Sequence, residues 1–156
     1  MTENEISYKI RGAIFNVYNN LGPGLLESAY ETALIIELEK EGLSVEKQVY
    51  LPIVYGGVTI PKAYRIDLIV EKKVIIELKA VQHVSDVCYK QLLTYLKMTG
   101  LKLGILVNFD TTNIASSIHR SVNGLQKDSD CVNVADASED QRNHNVSAKS
   151  AKFEEL

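Results

Sequence analysis

Asp67, Glu77 and Lys79 are residues whose types and spacing could do chemistry. They lie in two apolar segments, Tyr64–Val70 and Val74–Ala80, separated by the charged turn Glu71-Lys72-Lys73. Both segments read as strands. In the first, Tyr64, Ile66, Leu68 and Val70 share one face, while Arg65, Asp67 and Ile69 share the other. In the second, Glu77 and Lys79 lie on the face opposite Ile76 and Leu78. A three-residue turn centred on Lys72 sets Asp67 directly across from Glu77, and Arg65 across from Lys79. A one-residue slip would break both faces, which fixes the parity. Carboxylates opposed in this way, with Cβ atoms roughly 4.5–5.5 Å apart, repel each other. A divalent cation relieves that repulsion, and hard oxygen ligands suit Mg2+, with Mn2+ as the alternative. Lys79 is placed to balance charge or to act on a metal-bound water. The same residues also allow a solvated sheet face with ordinary ion pairs from Arg65 or Lys79 to Asp67.

A second acidic residue of interest is Glu27, in the first turn of a helix that follows Gly22-Pro23-Gly24. A carboxylate there is favoured by the helix dipole by roughly 0.3–1 kcal/mol, which explains it without any function. Tyr30 follows one turn later and is expected on the same side.

These residues need a scaffold to hold them. Ile6, Ile10, Ala13, Ile14, Val17, Tyr18 and Leu21 follow a helical period and predict a first helix, stopped by Gly22-Pro23-Gly24. A second helix is expected from about Leu25 to Glu41. The period then changes to two, with strand residues Val45–Ile53, the hairpin turn Gly56-Gly57, and Val58 and Ile60 beyond it. After the two strands that carry Asp67 and Glu77 come a helix from about Asp86 to Met98 and a buried strand, Leu103–Phe109. A short helix over Asn113–Gly124 is expected to close the domain. The predicted order is α-α-β-β-β-β-α-β-α, a mixed central sheet flanked by helices.

The chain has 156 residues, 46% of them hydrophobic and 24% charged, enough for one domain with a buried core. Residues 1–125 hold 13 basic and 13 acidic residues, whereas residues 126–156 hold 4 and 7. The domain is therefore expected at 1–125, with 126–156 an acidic, disordered C-terminal tail. A net charge of −3 argues against a highly basic coat for nucleic acid and leaves room for a local basic groove. Cys88 and Cys131 have no CxxC spacing and no histidines at ligand spacing, so neither a disulfide framework nor a zinc site is indicated. A cytoplasmic protein with no membrane segment is the expectation.

Gly24-Leu25-Leu26-Glu27-Ser28-Ala29-Tyr30 resembles the signature of the GxxExxY protein family. Arg65-Ile66-Asp67-Leu68-Ile69-Val70 with Ile76-Glu77-Leu78-Lys79-Ala80 resembles that family's D…ExK core, and Gln91-Leu92-Leu93-Thr94-Tyr95 is similar to a QxxxY helix motif. The family belongs to the PD-(D/E)xK nuclease superfamily, and the resemblance runs over roughly residues 5–125. It implies an α/β, restriction-endonuclease-like core and a metal-dependent nuclease. Asp67 and Glu77 would be metal ligands together with the backbone carbonyl of Leu78. Glu27 would complete the site directly or through a water. Lys79 would orient the attacking water. Gln91 and Tyr95 would border the site and orient Lys79 or substrate, and Tyr30 is assigned to the same substrate-orienting group. The namesake proline is absent, with Ile66 in its place. Nucleic acid, DNA in preference to RNA, is the implied partner, and a protein partner or a homodimer is compatible. The alternative is a catalytically silent module that keeps the fold and only binds nucleic acid or protein.

Overall fold

The chain enters through a capping box: Thr2 accepts from the Glu5 amide at 3.2 Å, while the Glu5 carboxylate accepts from the Thr2 amide at 2.7 Å. Two main-chain donors at the start of helix α1 (Glu3–Leu21), those of Thr2 and Glu5, are thereby satisfied. Helix α2 (Glu27–Lys40) follows, then strands β1 (Val45–Tyr55), β2 (Val58–Val70) and β3 (Val74–Lys79). Helix α3 (Asp86–Thr99) leads to β4 (Leu103–Asn108), a 3-10 turn (Ile114–Ser117) and β5 (Ile118–Val122). This is a computed structural model, and it describes residues 1–125, which fall within one compact unit, Met1–Gln126. The expected acidic tail, 126–156, lies outside the described residues. Among those described, no helix is long and apolar enough to cross a membrane.

The five strands are ordered β1-β2-β3-β4-β5. β3 and β4 pair in parallel through the α3 crossover, and every other neighbour is antiparallel. The alternation along β3 and β4 fills two cores. Leu68, Val70, Val74, Ile76, Leu78, Ile105 and Val107 pack under α1 and α2. Ile66, Ile69, Ile75 and Leu106 pack under Leu92, Tyr95 and Leu96 of α3. α3 comes so close to β4 that a Cβ on Gly104 would meet Leu92 Cδ1 at 2.6 Å. A sheet covered on both faces explains why β3 and β4 are apolar almost without interruption.

Three expectations need correction. The two segments Val58–Ile60 and Tyr64–Val70 form one strand, because the residues around Pro61 are absorbed in a bulge rather than a turn: the register shifts between Leu51 and Ile53. The closing helix is instead a 3-10 turn and β5, since the open edge of β4 offers main-chain partners from Leu103↔Val122 to Val107↔Ile118. Finally, Ile66 does not share a face with Leu68. Ile66 packs in the α3 core and Leu68 in the α1/α2 core, and the cause lies at the candidate site.

Candidate active site

Strands β2 and β3 pair from Val70↔Val74 to Leu68↔Ile76, in the register expected from a turn centred on Lys72. One step further on, side chains replace the ladder. The Asp67 amide donates to Glu77 Oε1 at 3.2 Å, and the Leu78 amide donates to Asp67 Oδ2 at 2.9 Å. Each carboxylate thus satisfies a main-chain donor that the neighbouring strand no longer reaches. Both acids are buried, Asp67 6% and Glu77 4% exposed.

The opening has a backbone origin. β1 and β2 pair at Lys47↔Leu68 and Val49↔Ile66, but the intervening pair of Gln48 and Asp67 is missing. Gln48 has φ 53°, left-handed backbone that a non-glycine residue adopts at a cost of about 1–3 kcal/mol. This twist reverses the faces on both strands: Val45 belongs to the α1/α2 core and Val49 to the α3 core, just as Leu68 and Ile66 do. Gln48 Nε2 donates to Glu31 Oε2 at 2.7 Å, which ties the distortion to α2.

The electrostatics follow from burial. Desolvation and then the Asp67 carboxylate push Glu77 up to about 8, against the pull of the Asp67 amide and Lys79, with Glu27 adding to the rise. Glu27 is also raised, first by burial, with Lys79 opposing and Asp67 and Glu31 reinforcing. Glu31 is raised by burial and by Asp67. The structure therefore groups Asp67 and Glu77 at the mouth of the β2/β3 opening, with Lys79, Glu27 and Glu31 in electrostatic reach. Among the described residues no ion pair reaches Asp67 or Glu77, so the ordinary cross-strand pairs with Arg65 or Lys79 are not made. Asp67 Oδ1 and Glu77 Oε2 accept no hydrogen bond from any described residue.

Tyr95, on α3, donates its hydroxyl to the Arg65 carbonyl at 3.2 Å. Burial, then Glu77 and Asp67, push that hydroxyl up to about 12, which keeps it a neutral donor. It thus fixes β2 beside the site; of the expected roles, orienting Lys79 or substrate, no hydrogen bond to Lys79 is made among the described residues. Gln91, one turn earlier on α3, is half-buried, and its side chain makes no hydrogen bond among the described residues. Tyr30 requires a clear correction. It is 0% exposed, stacked on Phe109 at 4.4 Å, and its hydroxyl donates to the Gly22 carbonyl at 2.6 Å and accepts from the Leu25 amide at 3.1 Å. It cannot touch substrate. It clamps the turn in which Gly24 has φ 98°, a value that requires glycine, and so sets where α2 begins and where Glu27 stands.

Among the described residues no three His, Cys, Asp or Glu side chains are grouped to hold one metal ion. Glu27, expected to reach a metal directly or through a water, is within electrostatic reach of Asp67 and Lys79. Two site residues were missed. Glu31 lies one turn beyond Glu27, a spacing that puts both on one helix face. Asn108 ends β4 beside Lys79. Its Oδ1 accepts from the Val81 amide at 3.1 Å and its Nδ2 donates to the Val81 carbonyl at 2.7 Å, pinning the chain where it leaves the active strand. A lone amide closing an apolar strand was the available signal.

Residues 4–121 match the family model of the PD-(D/E)XK nuclease superfamily, a stretch running from α1 into β5. No curated protein matches the chain. A solved structure described as "Crystal structure of SSO0001" is similar at 23% identity and a TM-score of 0.49, covering 64% of this chain and 52% of that one. The chain thus spans about half the length of that protein. The mixed five-stranded sheet between helices is an α/β, restriction-endonuclease-like fold.

Proposed function

The chain belongs to the PD-(D/E)XK nuclease superfamily, and from that premise we propose that it is a metal-dependent nuclease of the GxxExxY type, hydrolysing phosphodiester bonds in nucleic acid, DNA in preference to RNA. The observation that carries this reading is the buried pair Asp67 and Glu77. Each spends one oxygen on a main-chain amide and leaves the other without a donor or an ion pair among the described residues. Two adjacent desolvated carboxylates with free hard oxygens fit a divalent cation better than any other small partner.

Asp67, Glu77 and the Leu78 carbonyl would hold Mg2+, with Mn2+ as the alternative, and Glu27 would approach it through a water. When bound, the metal supplies a Lewis acid for the scissile phosphate and lowers the pKa of water. The chain's own part is positioning. The Lys79 ammonium orients the attacking water and offsets negative charge growing on the phosphate. Tyr95 and Asn108 hold the strands that present these groups, and Gln91 borders the substrate. The activity is assigned to residues 1–125 of a cytoplasmic protein, with a protein partner or a second copy compatible with the reading.

The test is cleavage of duplex and single-stranded DNA and RNA with Mg2+, Mn2+ or EDTA. Cleavage that needs metal, and that is lost in Asp67→Asn and Lys79→Ala, is the expected result. Metal-independent cleavage, or equal rates in Asp67→Asn, refutes the mechanism. Nucleic-acid binding without turnover under every condition identifies the catalytically silent module.

A further inference from the structure

We propose that the outer half of the β1–β2 hairpin is a nucleic-acid-binding arm that lies in a groove of duplex DNA next to the site. This inference rests on the nuclease reading and names how the substrate is held.

β2 pairs with β3 only from Leu68 onward, so the paired residues between Val58 and Ile66 have β1 as their one strand neighbour. The lower part of this extension, through Val49, Leu51 and Tyr64, packs against the α3 core. Beyond the bulge at Pro52 none of the described residues covers its outer positions. Val54 is 70%, Tyr55 79% and Val58 66% exposed, on either side of the Gly56-Gly57 turn. A stretch of about four residues per strand projects on the order of 13 Å. A two-stranded ribbon of this kind fits the major groove, about 12 Å wide.

Charge selects the occupant. From Val49 to Ile66 the chain carries Lys62 and Arg65 and not one acid, and Lys47 stands at the base of the same hairpin opposite Leu68. The arm therefore carries positive charge on a domain whose residues 1–125 are balanced, 13 basic against 13 acidic. Lys62 Nζ lies 4.8 Å from the Tyr50 ring centroid, so the cation is held along the arm instead of against a carboxylate. Phosphates are the complementary partner for such a surface. The apolar tip suits base edges and thymine methyl groups. Strand addition by a second copy is disfavoured, because Pro52 and Pro61 interrupt the donors on the two strands at the bulge.

The experiment is fluorescence anisotropy in EDTA, which removes turnover from the measurement, with a 20-base-pair DNA duplex and its single strand across a salt series. Two variants are compared with wild type after melting curves establish that both are folded: Lys47→Ser/Lys62→Ser and Tyr55→Ser/Val58→Ser. For the first, the slope of log K against log salt falls in magnitude by about 1.8, or about 0.9 per lost phosphate contact. For the second, duplex affinity falls by about tenfold or more, with single-strand affinity changed less. Unchanged duplex affinity and slope in both variants overturns the arm. So does conversion of a dimer into a monomer with binding intact, which would make the tip a self-association surface. Cleavage with metal in the unmodified protein is scored separately. If it persists while the variants bind normally, only the arm fails. If neither binding nor cleavage occurs, the nuclease reading fails with it.

Discussion

Replacing Glu77 with Gln isolates the electrostatic cost at the heart of the site. Without metal, the native protein holds two adjacent buried carboxylates, and burial with Asp67 moves Glu77 from 4.5 to about 8. Between those values the folded protein keeps a proton that the unfolded chain has lost, so stability falls as pH rises through that window. Below about pH 4.5 both states are protonated and Glu77 adds no penalty. At about 1.4 kcal/mol per pKa unit, the displacement corresponds to a penalty on the order of 4–5 kcal/mol at pH 9. Removing the Glu77 charge should recover at least about 2 kcal/mol of it. Glutamine preserves the acceptor for the Asp67 amide and turns the repulsion into a hydrogen bond. In urea denaturation with EDTA, Glu77→Gln should match wild type near pH 5 and exceed it at pH 9, with a midpoint shift of about 1 M. Mg2+ at a hundredfold excess over its Kd should raise wild-type stability by about 2.7 kcal/mol and leave the variant unmoved. Equal midpoints at pH 9, or a more stable wild type there, would refute the reasoning.

Tyr30→Phe removes the clamp on the turn before α2 and leaves the Leu25 amide without its partner, so it should lose about 1–3 kcal/mol in denaturant titration. Cleavage should fall with it, and unchanged rates would show that Glu27 needs no such positioning. Gln48→Gly should be near neutral in stability, whereas Gln48→Val should cost about 2 kcal/mol or more, because a β-branched residue resists φ 53°. A regular strand would reverse that order, so melting curves of the two variants decide whether the face reversal is real. A chain ending after Leu125 should cleave as the full chain does, measured under identical metal and salt, and a clear loss would assign residues 126–156 a part in the activity.

Much of the fold could be read from periodicity, because the apolar residues have a single consistent job. Val74 to Leu78 and Leu103 to Val107 are buried on both faces, and their short length and β-branched residues mark them as central strands instead of buried helix. The turn after Val70 could be placed because Glu71-Lys72-Lys73 is the one polar interruption, and the pairs down to Leu68↔Ile76 follow from it. β5 could not be read in this way. Ile118-His119-Arg120-Ser121-Val122 has two large apolar residues, too few to separate a helix from a strand, and the choice is made by the open edge of β4. Nor does a glutamine announce a positive φ, so the reversal at Gln48, which frees the Asp67 amide for Glu77, was invisible. Alternation assumes regular backbone, and it fails at the point where the backbone is bent to build the site.

The spacing of Gly24, Glu27 and Tyr30 shows why the resemblance and the structure assign the same residues different work. Three residues turn a helix through about 300°, so Tyr30 rotates into the core while Glu27 stays at the rim. From that buried position its hydroxyl reaches back to the Gly22 carbonyl and the Leu25 amide, the two groups flanking the turn through Gly24. Glycine permits the turn, tyrosine fastens it, and only the glutamate is directed towards Asp67 and Lys79. The residue that shares the glutamate's outlook is Glu31, four positions on, which Gln48 holds from the distorted strand. A recognisable spacing can therefore record how a carboxylate is held as much as which residues meet the substrate. The strained Gln48 and the clamped turn act on the two sides of one site: one opens the strand ladder at Asp67, and the other fixes the helix that brings an acid to it.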